Sequence, residues 1–571
     1  MELSKKELLS RVSQLKRAYK TLSPEKVLVV WGTLFLAVVF FASACIVINS
    51  RFLVEVPALG GSISEGIVGT PRFINPVLAI SPQDVDLTIL LYAGLTKRDV
   101  DGDYIPDMAE SITTSDDGLE YDIILKSKAR FHDGTKVTAD DIVYTVNLVQ
   151  NPRIKSPQFI KWEGVRIEKV SDTEIKFYLK KAYPLFNEVL SLGILPKNLW
   201  KSLSDEQFSL SDYNIHPIGS GPFKIDSVST VSGIPETYTL SSHKYYTLGR
   251  PYLDYITIHT YQNERQLIAA LNSSEIDRVD SISPNSLSNV KNLSKAHIIS
   301  GKLPRAFTIF LNPNKAEFLS DKNIRQALTL ALDRGAIIDN VYKGYAVSLT
   351  TPYPFDTESG TTTSNIDLAK SYLAKSKYTK ANASTTFELN LVTTNSDEIR
   401  AVAEIVKSQW EAIGVKVNIL VYEPSDINQT IIKDREFQSL LFGSFIGHPS
   451  DLYAFWHSSQ RTYPGVNISG YVSQRLDKSL EVLRESNDTI ALDNAYMAVK
   501  KEFAEENPGI FLYSPSLIYI NKDQVVTPIP HSLLNASDRF ALVHTWYKNK
   551  ERVWGKSYYP NFISILQNFI H

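Results

Sequence analysis

The sequence predicts a two-lobed α/β protein that follows a single N-terminal transmembrane helix. Three observations support this prediction: one long apolar run near the start, a length that exceeds what one hydrophobic core fills, and alternation of short strands with amphipathic helices. The chain has 571 residues, of which 43% are hydrophobic and 21% charged. These proportions are ordinary for a folded protein and exclude a largely disordered one.

The apolar run covers residues 27–48 and contains no charged side chain over its 22 positions. A helix rises about 1.5 Å per residue, so this run is long enough to cross a hydrocarbon layer of roughly 30 Å. Seven of the first 26 residues are basic, whereas Arg51 alone follows the run closely. Cytoplasmic flanks carry the excess of Lys and Arg, so we expect residues 1–26 in the cytoplasm, residues 27–48 in the cell membrane as a single-pass anchor, and the remainder in the extracellular or periplasmic space.

Two alternatives for this segment stay open. A cleaved signal peptide would have a shorter apolar core and a small-residue cleavage site. Residues 41–45 (FASAC) resemble a lipobox, but Ala42 stands where leucine is usual, and the apolar run continues past Cys45. We therefore favour an uncleaved anchor over lipidation at Cys45. Either arrangement keeps the protein at the membrane.

The net charge, the cysteine content and the absence of known catalytic motifs exclude several classes of function. The net charge of −2 gives no clustered basic surface, so nucleic acid is not an expected partner. Cys45 is the sole cysteine, which excludes an internal disulfide framework and a cysteine-ligated zinc site. No HExxH, Walker or G-x-S-x-G motif occurs, so we expect neither a catalytic site nor a cofactor.

The segments after the anchor justify the α/β prediction in chain order. Residues 119–128 (LEYDIILKSK) alternate as a strand, and Thr138 can cap a helix that begins with two aspartates. Asp333 is a cap for a helix that ends near Gly344. A helical stripe between Ser396 and Gly414 is followed at once by an alternating strand over residues 415–419. A helix over residues 491–506 and a strand over 510–520 complete the pattern.

A series of short motifs runs in order along nearly the whole outside portion. The motifs are residues 69–76 (GTPRFINP), 91–95 (LYAGL), 106–109 (PDMA), 115–118 (SDDG), 131–143 (FHDGTKVTADDIV), 218–223 (IGSGPF), 267–277 (LIAALNSSEID), Asn312, 324–328 (IRQAL) and 331–333 (ALD). Together they resemble the extracellular solute-binding proteins of family 5, the dipeptide, oligopeptide and nickel receptors of ABC importers.

The resemblance implies the large, type II form of the periplasmic-binding-protein-like fold, with a subdomain inserted in its first lobe. It implies lobe I at residues 52–305 with the subdomain at about 100–215, lobe II at 306–514, and a return to lobe I at 515–571. Hinges are expected near residues 300–307 and 512–515. Two such lobes close around a ligand, which shifts an existing open–closed equilibrium towards the closed state.

The resemblance also places the ligand site on residues 442–451 (FGSFIGHPSD) of lobe II. In peptide-binding members an aspartate of this stretch holds the ligand's amino terminus, and Gly447 occupies that position here. A glycine offers no charge to a buried ammonium group, so Asp451 is the candidate substitute, or the ligand lacks a free amino terminus. The expected ligand-binding residues are Tyr92, Gly443, Ser444, Phe445, Gly447, His448, Asp451 and Trp456.

Within that set, the backbone at residues 443–445 can pair with an extended ligand, and Tyr92, Phe445, His448 and Trp456 are expected to line the wall of the cleft. Packing in the core of lobe II is the alternative for Phe445 and Trp456. We also expect His448 and His457 to be insufficient for a metal site, since no third ligand is evident.

The sequence therefore predicts a membrane-anchored, monomeric receptor that delivers a peptide or peptide-like solute to an ABC permease. A solute sensor or adhesin with the same fold, a nickel or metal-chelate receptor and a secreted hydrolase are the alternatives. The apolar residues of the C-terminal tail, residues 557–571, are expected to pack on lobe I or to lie against lipid.

Overall fold

A computed structural model describes residues 23–356, 363–381, 387–486 and 488–554, together with Ser13, Gln14, Lys16, Arg17, Tyr19 and Thr21. The chain divides into two units, one made of residues 1–58 with 549–571 and the other of residues 59–548. The C-terminal tail, for which we predicted contact with lobe I or lipid, lies outside the described residues.

The first unit contains the predicted apolar helix, α1 (Pro24–Phe52). Pro24 occupies a first-turn position, where its missing N–H leaves no hydrogen bond unmade. The segment Pro24–Cys45 is long and apolar enough to cross a membrane by length and composition, and none of it is buried in protein. Strand β1 (Leu53–Ala58) follows α1 directly and pairs in antiparallel fashion with β20 (Asn549–Trp554).

The helices of the second unit are mostly short and alternate with strands. Their bounds are α2 (Pro82–Leu91), α3 (Ala139–Gln150), α4 (Phe159–Trp162), α5 (Phe186–Val189), α6 (Lys197–Trp200), α7 (Asp205–Phe208), α8 (Glu264–Ser273), α9 (Lys322–Leu330), α10 (Arg334–Val341), α11 (Ile366–Lys375), α12 (Lys377–Ala381), α13 (Asp397–Glu411), α14 (Pro424–Asp426), α15 (Leu452–Trp456), α16 (Gln474–Glu485) and α17 (Thr489–Glu506).

The strands form one large mixed sheet and two small antiparallel sheets. Their bounds are β2 (Ser62–Val68), β3 (Thr96–Arg98), β4 (Tyr104–Pro106), β5 (Ala109–Thr114), β6 (Glu120–Leu125), β7 (Arg166–Ser171), β8 (Glu174–Tyr178), β9 (Phe223–Val231), β10 (Ile234–Ser242), β11 (Tyr255–Tyr261), β12 (Arg278–Val279), β13 (His297–Lys302), β14 (Arg305–Leu311), β15 (Ala346–Ser348), β16 (Phe387–Thr394), β17 (Val415–Tyr422), β18 (Ser439–Phe445) and β19 (Gly509–Asn521).

The large sheet has the order β17-β16-β18-β14-β19-β12-β2-β11-β10-β9, and β13 and β15 pair with β19 off this path. The first part of β19 pairs with β14 and β15, whereas its last part pairs with β12 and β13. One continuous strand of 13 residues therefore belongs to both halves of the sheet. Strands β5, β6, β8 and β7 form a separate antiparallel sheet between β4 and β9 in the chain.

Each half of the large sheet is packed on both faces. In β14, Phe307, Ile309 and Leu311 belong to one hydrophobic core, while Ala306 and Phe310 belong to another. Successive side chains of a strand point to opposite faces, so the two cores lie on opposite sides of this half.

The second part of β19 shows the same alternation in the other half of the sheet. Leu517 and Tyr519 join one core, and Ile518 and Ile520 join another. A strand that is buried on both faces does not alternate between apolar and polar residues. This explains the nearly continuous apolar sequence of β19.

The secondary-structure predictions are confirmed with shifts of a few residues. Thr138 and Asp141 form a capping box at the start of α3, and the Asp333 side chain accepts from the Ala336 N–H at the start of α10. Gly414 adopts a φ of 91°, which ends the segment after α13 and turns the chain into β17. The strand predicted over residues 119–128 is shorter, Glu120–Leu125. The bounds of the two lobes and their hinges remain predictions.

A largely buried ion cluster joins the segment after β19 to the sheet. The Arg539 guanidinium contacts Glu65 at 2.8 Å, Asp86 at 2.7 Å and Asp280 at 3.2 Å. Tyr519 donates a further hydrogen bond of 2.7 Å to Glu65. Burial and the neighbouring carboxylates raise the pKa of Asp280 to about 6, although Arg539 opposes that shift. Each charge in the cluster is stable there only while its partners remain.

We predict that Arg539→Met destabilises the protein by about 3–5 kcal/mol, because it leaves three buried carboxylates without their cation. Urea unfolding followed by circular dichroism measures the change. The matched control is Arg400→Met, which breaks an exposed pair with Asp397 and is expected to cost less than about 1 kcal/mol. Equal effects of the two substitutions would contradict the assignment of a structural role to the buried cluster.

A tight loop at residues 219–221 holds the end of α2 in place. A Cβ on Gly219 would lie 1.9 Å from the Leu91 carbonyl oxygen, and one on Gly221 would lie 2.5 Å from the Leu91 carbonyl carbon. His132 Nδ1 accepts from the Gly219 N–H at 3.2 Å. The close approach needs glycine, and it fixes the position of the residue that follows α2, Tyr92.

We predict that His132 contributes stability that is lost in mild acid. Burial, with the nearby His243, lowers the pKa of His132 from 6.5 to about 3. The unfolded chain therefore takes up the proton first, so the contribution is full above pH 6.5 and falls as the pH drops towards 3. The advantage of wild type over His132→Gln in urea unfolding should shrink between pH 7.5 and pH 4.5.

The control for that titration is His297→Gln at an exposed position, where the difference from wild type should stay small and constant. A wild-type advantage over His132→Gln that is unchanged with pH would show that His132 is not kept neutral by the fold.

Candidate functional site

A cavity of about 150 Å³ lies beside the end of α2. Its lining combines glycines, hydroxyls and charged groups: Thr88, Ile89, Tyr92, Ala93, Gly94, Thr96, Lys97, Arg98, Tyr104, Asp107, Ser191, Gly193, Pro222, Tyr246, Asp538 and Ala541. A volume of this size would hold about five water molecules, or a small polar group of a ligand.

Two glycines let the chain segments around the cavity approach closely. A Cβ on Gly94 would lie 2.5 Å from the Ser191 backbone, and one on Gly193 would lie 2.7 Å from the Tyr92 Cβ. The Ile194 N–H donates to the Ala93 carbonyl at 3.0 Å, which ties the two segments together. The segments that carry Tyr92 and Gly193 are therefore closely packed.

Lys97 is at the centre of a polar network in this wall. Its ammonium group donates to the Tyr246 hydroxyl and to His544 Nδ1, each at 3.0 Å. Tyr246 in turn donates to Asp107 at 2.9 Å, and the Thr247 hydroxyl makes a very short hydrogen bond to the same carboxylate. Each of these buried polar groups thus has at least one partner, as burial requires.

Burial shifts the protonation of this network. It lowers the pKa of Lys97 to about 8, with Asp107 opposing the shift, and it raises the pKa of Asp107. Burial, helped by the charge of Lys97, lowers the pKa of His544 to about 2, so this imidazole is neutral and its Nδ1 accepts from the ammonium group. At neutral pH, Lys97 is the charged donor of the network.

Two hydroxyl groups of the cavity wall have no hydrogen-bond partner among the described residues. They are Thr88 Oγ1 and Tyr92 Oη, and both atoms are buried. Burial also raises the pKa of Tyr92, so its hydroxyl keeps its proton. A buried hydroxyl without a partner is costly, so these two groups are unfavourable features of the wall.

A second wall faces the cavity region from the loop after β18. His448 Nε2 lies 2.9 Å from Glu188 Oε2, and Lys161 lies 3.0 Å from the other oxygen of Glu188. Burial alone would raise the pKa of Glu188, but His448 and Lys161 together lower it to about 2. The link joins a residue of α5 to one that follows β18, far apart in sequence.

Asp451 organises the loop that presents His448. One of its oxygens, Oδ2, accepts from the N–H groups of Gly447 at 2.8 Å and His448 at 2.9 Å. A Cβ on Gly447 would lie 3.0 Å from the Leu534 side chain and 3.6 Å from the same Asp451 oxygen. The Asp451 carboxylate therefore lies next to the side-chain position of residue 447. Burial raises the pKa of Asp451.

Charges of the two walls act together on Tyr104. After burial, Glu188 and Asp538 are the largest contributors that raise the pKa of Tyr104, which lines the cavity. Glu188 and Asp451 likewise raise the pKa of Tyr183 beyond the effect of burial, to about 12. The cavity, Glu188 and Asp451 thus belong to one electrostatic environment.

Strand β18 leaves part of one edge unpaired. It pairs with β14 from Ser439 to Phe445, but its pairing with β16 stops at Leu440. Among the described strands, residues 441–445 therefore have a neighbour on one side. A free edge of this kind can add an extended chain.

The profile of the bacterial extracellular solute-binding proteins, family 5, matches residues 103–464, more than half of the chain. The chain belongs to family 5. The match includes the inserted antiparallel sheet and the loop after β18, whereas Thr88, Tyr92 and Lys97 of the cavity wall lie just before it.

Several relatives in family 5 cover nearly the whole outside portion. The oligopeptide-binding protein AppA of Bacillus subtilis is 28% identical over 480 residues, which are 81% of this chain and 87% of that protein. The substrate-binding protein CtaP of an ABC transporter from Listeria monocytogenes has a crystal structure with a TM-score of 0.72 and 27% identity, covering 86% of this chain and 99% of CtaP.

The structure of the Bacillus subtilis AppA in complex with a nonapeptide has a TM-score of 0.63 and 26% identity, and covers 86% of this chain and all of AppA. The chain thus has the two-lobed family 5 fold predicted from its motifs.

The predicted site residues lie in different parts of the structure. Tyr92 lines the cavity, Gly447, His448 and Asp451 form the facing loop, and Phe445 is 51% exposed at the end of β18. Gly443 and Ser444 lie on the strand whose edge is partly free, although Ser444 itself is buried.

Trp456 differs from the prediction that it lines the cleft. It is 1% exposed and packs between Phe310, Phe503 and Phe511 in a core of the half-sheet. A Cβ on Gly509 would lie 2.6 Å from its ring, so the surrounding backbone is fitted to the indole. A side chain enclosed in this way has no surface to offer a ligand. Trp456 is therefore a core residue, which was the alternative interpretation of its position.

The sequence did not single out Thr88, Lys97, Glu188 or Lys161. Lys97 lies two residues after the LYAGL motif. Nothing in the surrounding sequence distinguishes this lysine from an ordinary solvent-exposed one. Its partners come from segments about 150 and 450 residues away, and only the fold brings them together.

The two histidines considered for a metal have separate surroundings. His448 contacts Glu188, whereas His457 stacks on Tyr453 at 4.1 Å and contacts Ser459. Within the described residues, no three His, Cys, Asp or Glu side chains are grouped as metal ligands.

We predict that the His448–Glu188 link stabilises the conformation in which the two walls are in contact. His448→Ala should reduce its population roughly tenfold, because a hydrogen bond to a charged, half-buried carboxylate is lost. Spin labels at Lys201→Cys and Lys478→Cys, in a Cys45→Ala background, measure the distance distribution between the two halves.

Longer distances are expected in His448→Ala but not in the control His531→Ala, whose side chain is 73% exposed beside Asp101. Identical distributions for wild type and His448→Ala would contradict the prediction.

Proposed function

We propose that this chain is the solute-binding receptor of an ABC importer and that it binds a peptide or peptide-like solute between two hinged lobes. Its lobes would be residues 52–305 with 515–571, and residues 306–514. The single observation that carries the proposal is a polar cavity beside Tyr92 within a family 5 fold. Related proteins named for oligopeptide and dipeptide binding support the solute class.

The Asp451 carboxylate is our candidate for recognition of the ligand's amino terminus. It lies next to the side-chain position of residue 447, and Glu188 adds a second negative charge to the same region. An ammonium group between two carboxylates gains both charge and hydrogen bonds. The free edge of residues 441–445 would pair with the ligand backbone.

The remaining parts of the proposal concern partners and location. The receptor acts as a monomer, performs no chemistry of its own, and passes its solute to an ABC permease in the same membrane. Helix α1 holds it in the bilayer with the N-terminus in the cytoplasm and the binding unit outside.

The test of the proposed function uses the full-length chain in nanodiscs and a pool of random tripeptides to pentapeptides. We expect equilibrium dialysis with mass spectrometry to show retained peptides, and Asp451→Asn to weaken their binding roughly tenfold or more. N-acetylated peptides should bind wild type and Asp451→Asn equally weakly. Asp397→Asn is the control, because Asp397 belongs to an exposed pair with Arg400 on α13.

Absence of any retained peptide, with binding of non-peptidic solutes instead, would overturn the proposed function. Retention of free and N-acetylated peptides to the same extent would leave the receptor function intact but remove Asp451 from it.

A further inference from the structure

A basic helical segment precedes the apolar helix α1. Its described members are all exposed, and they include two cations, Lys16 and Arg17. From residue 8 to residue 24 the sequence contains four basic side chains and no acidic one. Among the described residues, no carboxylate pairs with Lys16 or Arg17. We call this the juxtamembrane segment, and its described helical residues are Ser13, Gln14, Lys16, Arg17 and Tyr19.

The juxtamembrane segment folds back on α1. The Tyr19 hydroxyl accepts a hydrogen bond of 2.8 Å from Trp31 Nε1. In one straight helix these two residues would be about 18 Å apart along the axis, so their side chains could not meet. The chain therefore changes direction between them, where Thr21 lies in a turn and Ser23 has extended backbone angles.

Trp31 lies at one boundary of the uncharged part of α1. The helix rises about 30 Å from Trp31 to Arg51, which matches the thickness of a hydrocarbon layer. No charged side chain lies between these two residues. Trp31 is 58% exposed and Tyr19 is 42% exposed, and such aromatic side chains concentrate where hydrocarbon meets lipid headgroups. The hydrogen bond between them consequently places the juxtamembrane segment at the headgroup level of one leaflet.

An anionic phospholipid is the partner that fits cations in this position. Lys16 and Tyr19 are three positions apart in a helix, so the face that meets α1 also carries a cation. A guanidinium such as that of Arg17 donates two parallel hydrogen bonds to a phosphate, and an ammonium group adds a point charge. A zwitterionic headgroup carries its own cation beside its phosphate, so it gains less from Lys16 and Arg17.

We propose that Lys16 and Arg17 form a binding surface for the phosphate of anionic phospholipids, held against α1 by the hydrogen bond between Tyr19 and Trp31. This inference rests on the anchor arrangement of the proposed function, which assigns the surface to the cytoplasmic leaflet. The juxtamembrane segment then does more than orient α1, because it selects the lipids that surround the helix.

The test uses the full-length chain in nanodiscs that contain phosphatidylglycerol and phosphatidylcholine in equal amounts. Spin-labelled forms of either lipid, added in traces, report by their immobilised fraction how strongly each associates with the protein. Phosphatidylglycerol should associate with wild type roughly threefold to tenfold more strongly than phosphatidylcholine. The double substitution Lys16→Gln with Arg17→Gln should remove most of that preference.

A second measurement reports the position of the juxtamembrane segment. A nitroxide at Gln14→Cys, in a Cys45→Ala background, should be shielded from a water-soluble nickel chelate in the same nanodiscs. Tyr19→Phe deletes the acceptor of the Trp31 N–H and keeps the ring, so it should raise the accessibility about twofold or more.

The matched control is Lys201→Gln with Lys478→Gln, which removes two exposed lysines from the unit of residues 59–548 and should keep the full lipid preference. Three results would overturn the proposal: equal association of the two lipids with wild type, an unchanged preference in Lys16→Gln with Arg17→Gln, or the same loss in the control. An unchanged nickel accessibility in Tyr19→Phe would overturn it as well. Retention of random peptides by the same nanodiscs reports the receptor function separately, so either proposal can fail alone.

Discussion

The continuous strand β19 is the constraint on which the architecture depends. Its 13 residues are longer than an average strand, and its two ends pair with different sets of neighbours. The two halves of the sheet are consequently connected through the backbone of one continuous strand, and not through a shared packing surface. Their side chains form separate cores, so each half can keep its packing while the angle between them changes.

Two groups of charged residues differ in how completely their hydrogen bonds are satisfied. The Arg539 cluster is largely enclosed, and every charge in it has a partner from another segment. The cavity beside Tyr92 contains charged groups too, but two of its hydroxyls are left unpaired. A buried charge cluster whose hydrogen bonds are all made stabilises the structure, whereas an unpaired buried hydroxyl is a local cost.

The sequence predicted the fold well because its strongest signals are local. Thr138 and Asp333 cap helices through contacts within a few residues, and Gly414 ends one through its own backbone conformation. The apolar alternation that places Phe307 and Phe310 in different cores is also local. Family motifs then supplied the connectivity that local patterns lack.

The site was only partly predictable for the opposite reason. Trp456 has the chemistry of a ligand-binding aromatic, and only its enclosure by Phe310, Phe503 and Phe511 shows that it serves packing. Lys97 has the chemistry of a surface residue, yet contacts with Tyr246 and His544 place it in a cavity. Burial and partners separated by hundreds of residues are properties of the fold and leave no pattern in a single sequence.

The pairing of β1 with β20 has a practical consequence. Ala58 and Asn549 are opposite each other in the register, so the polypeptide enters and leaves the span from residue 59 to residue 548 through neighbouring positions. Opposed residues of an antiparallel pair have Cα atoms about 4.5–5.5 Å apart. The span from residue 59 to residue 548 can therefore be inserted between the two strands of an unrelated hairpin without stretching the chain. Its two ends can also be joined to each other by a short linker.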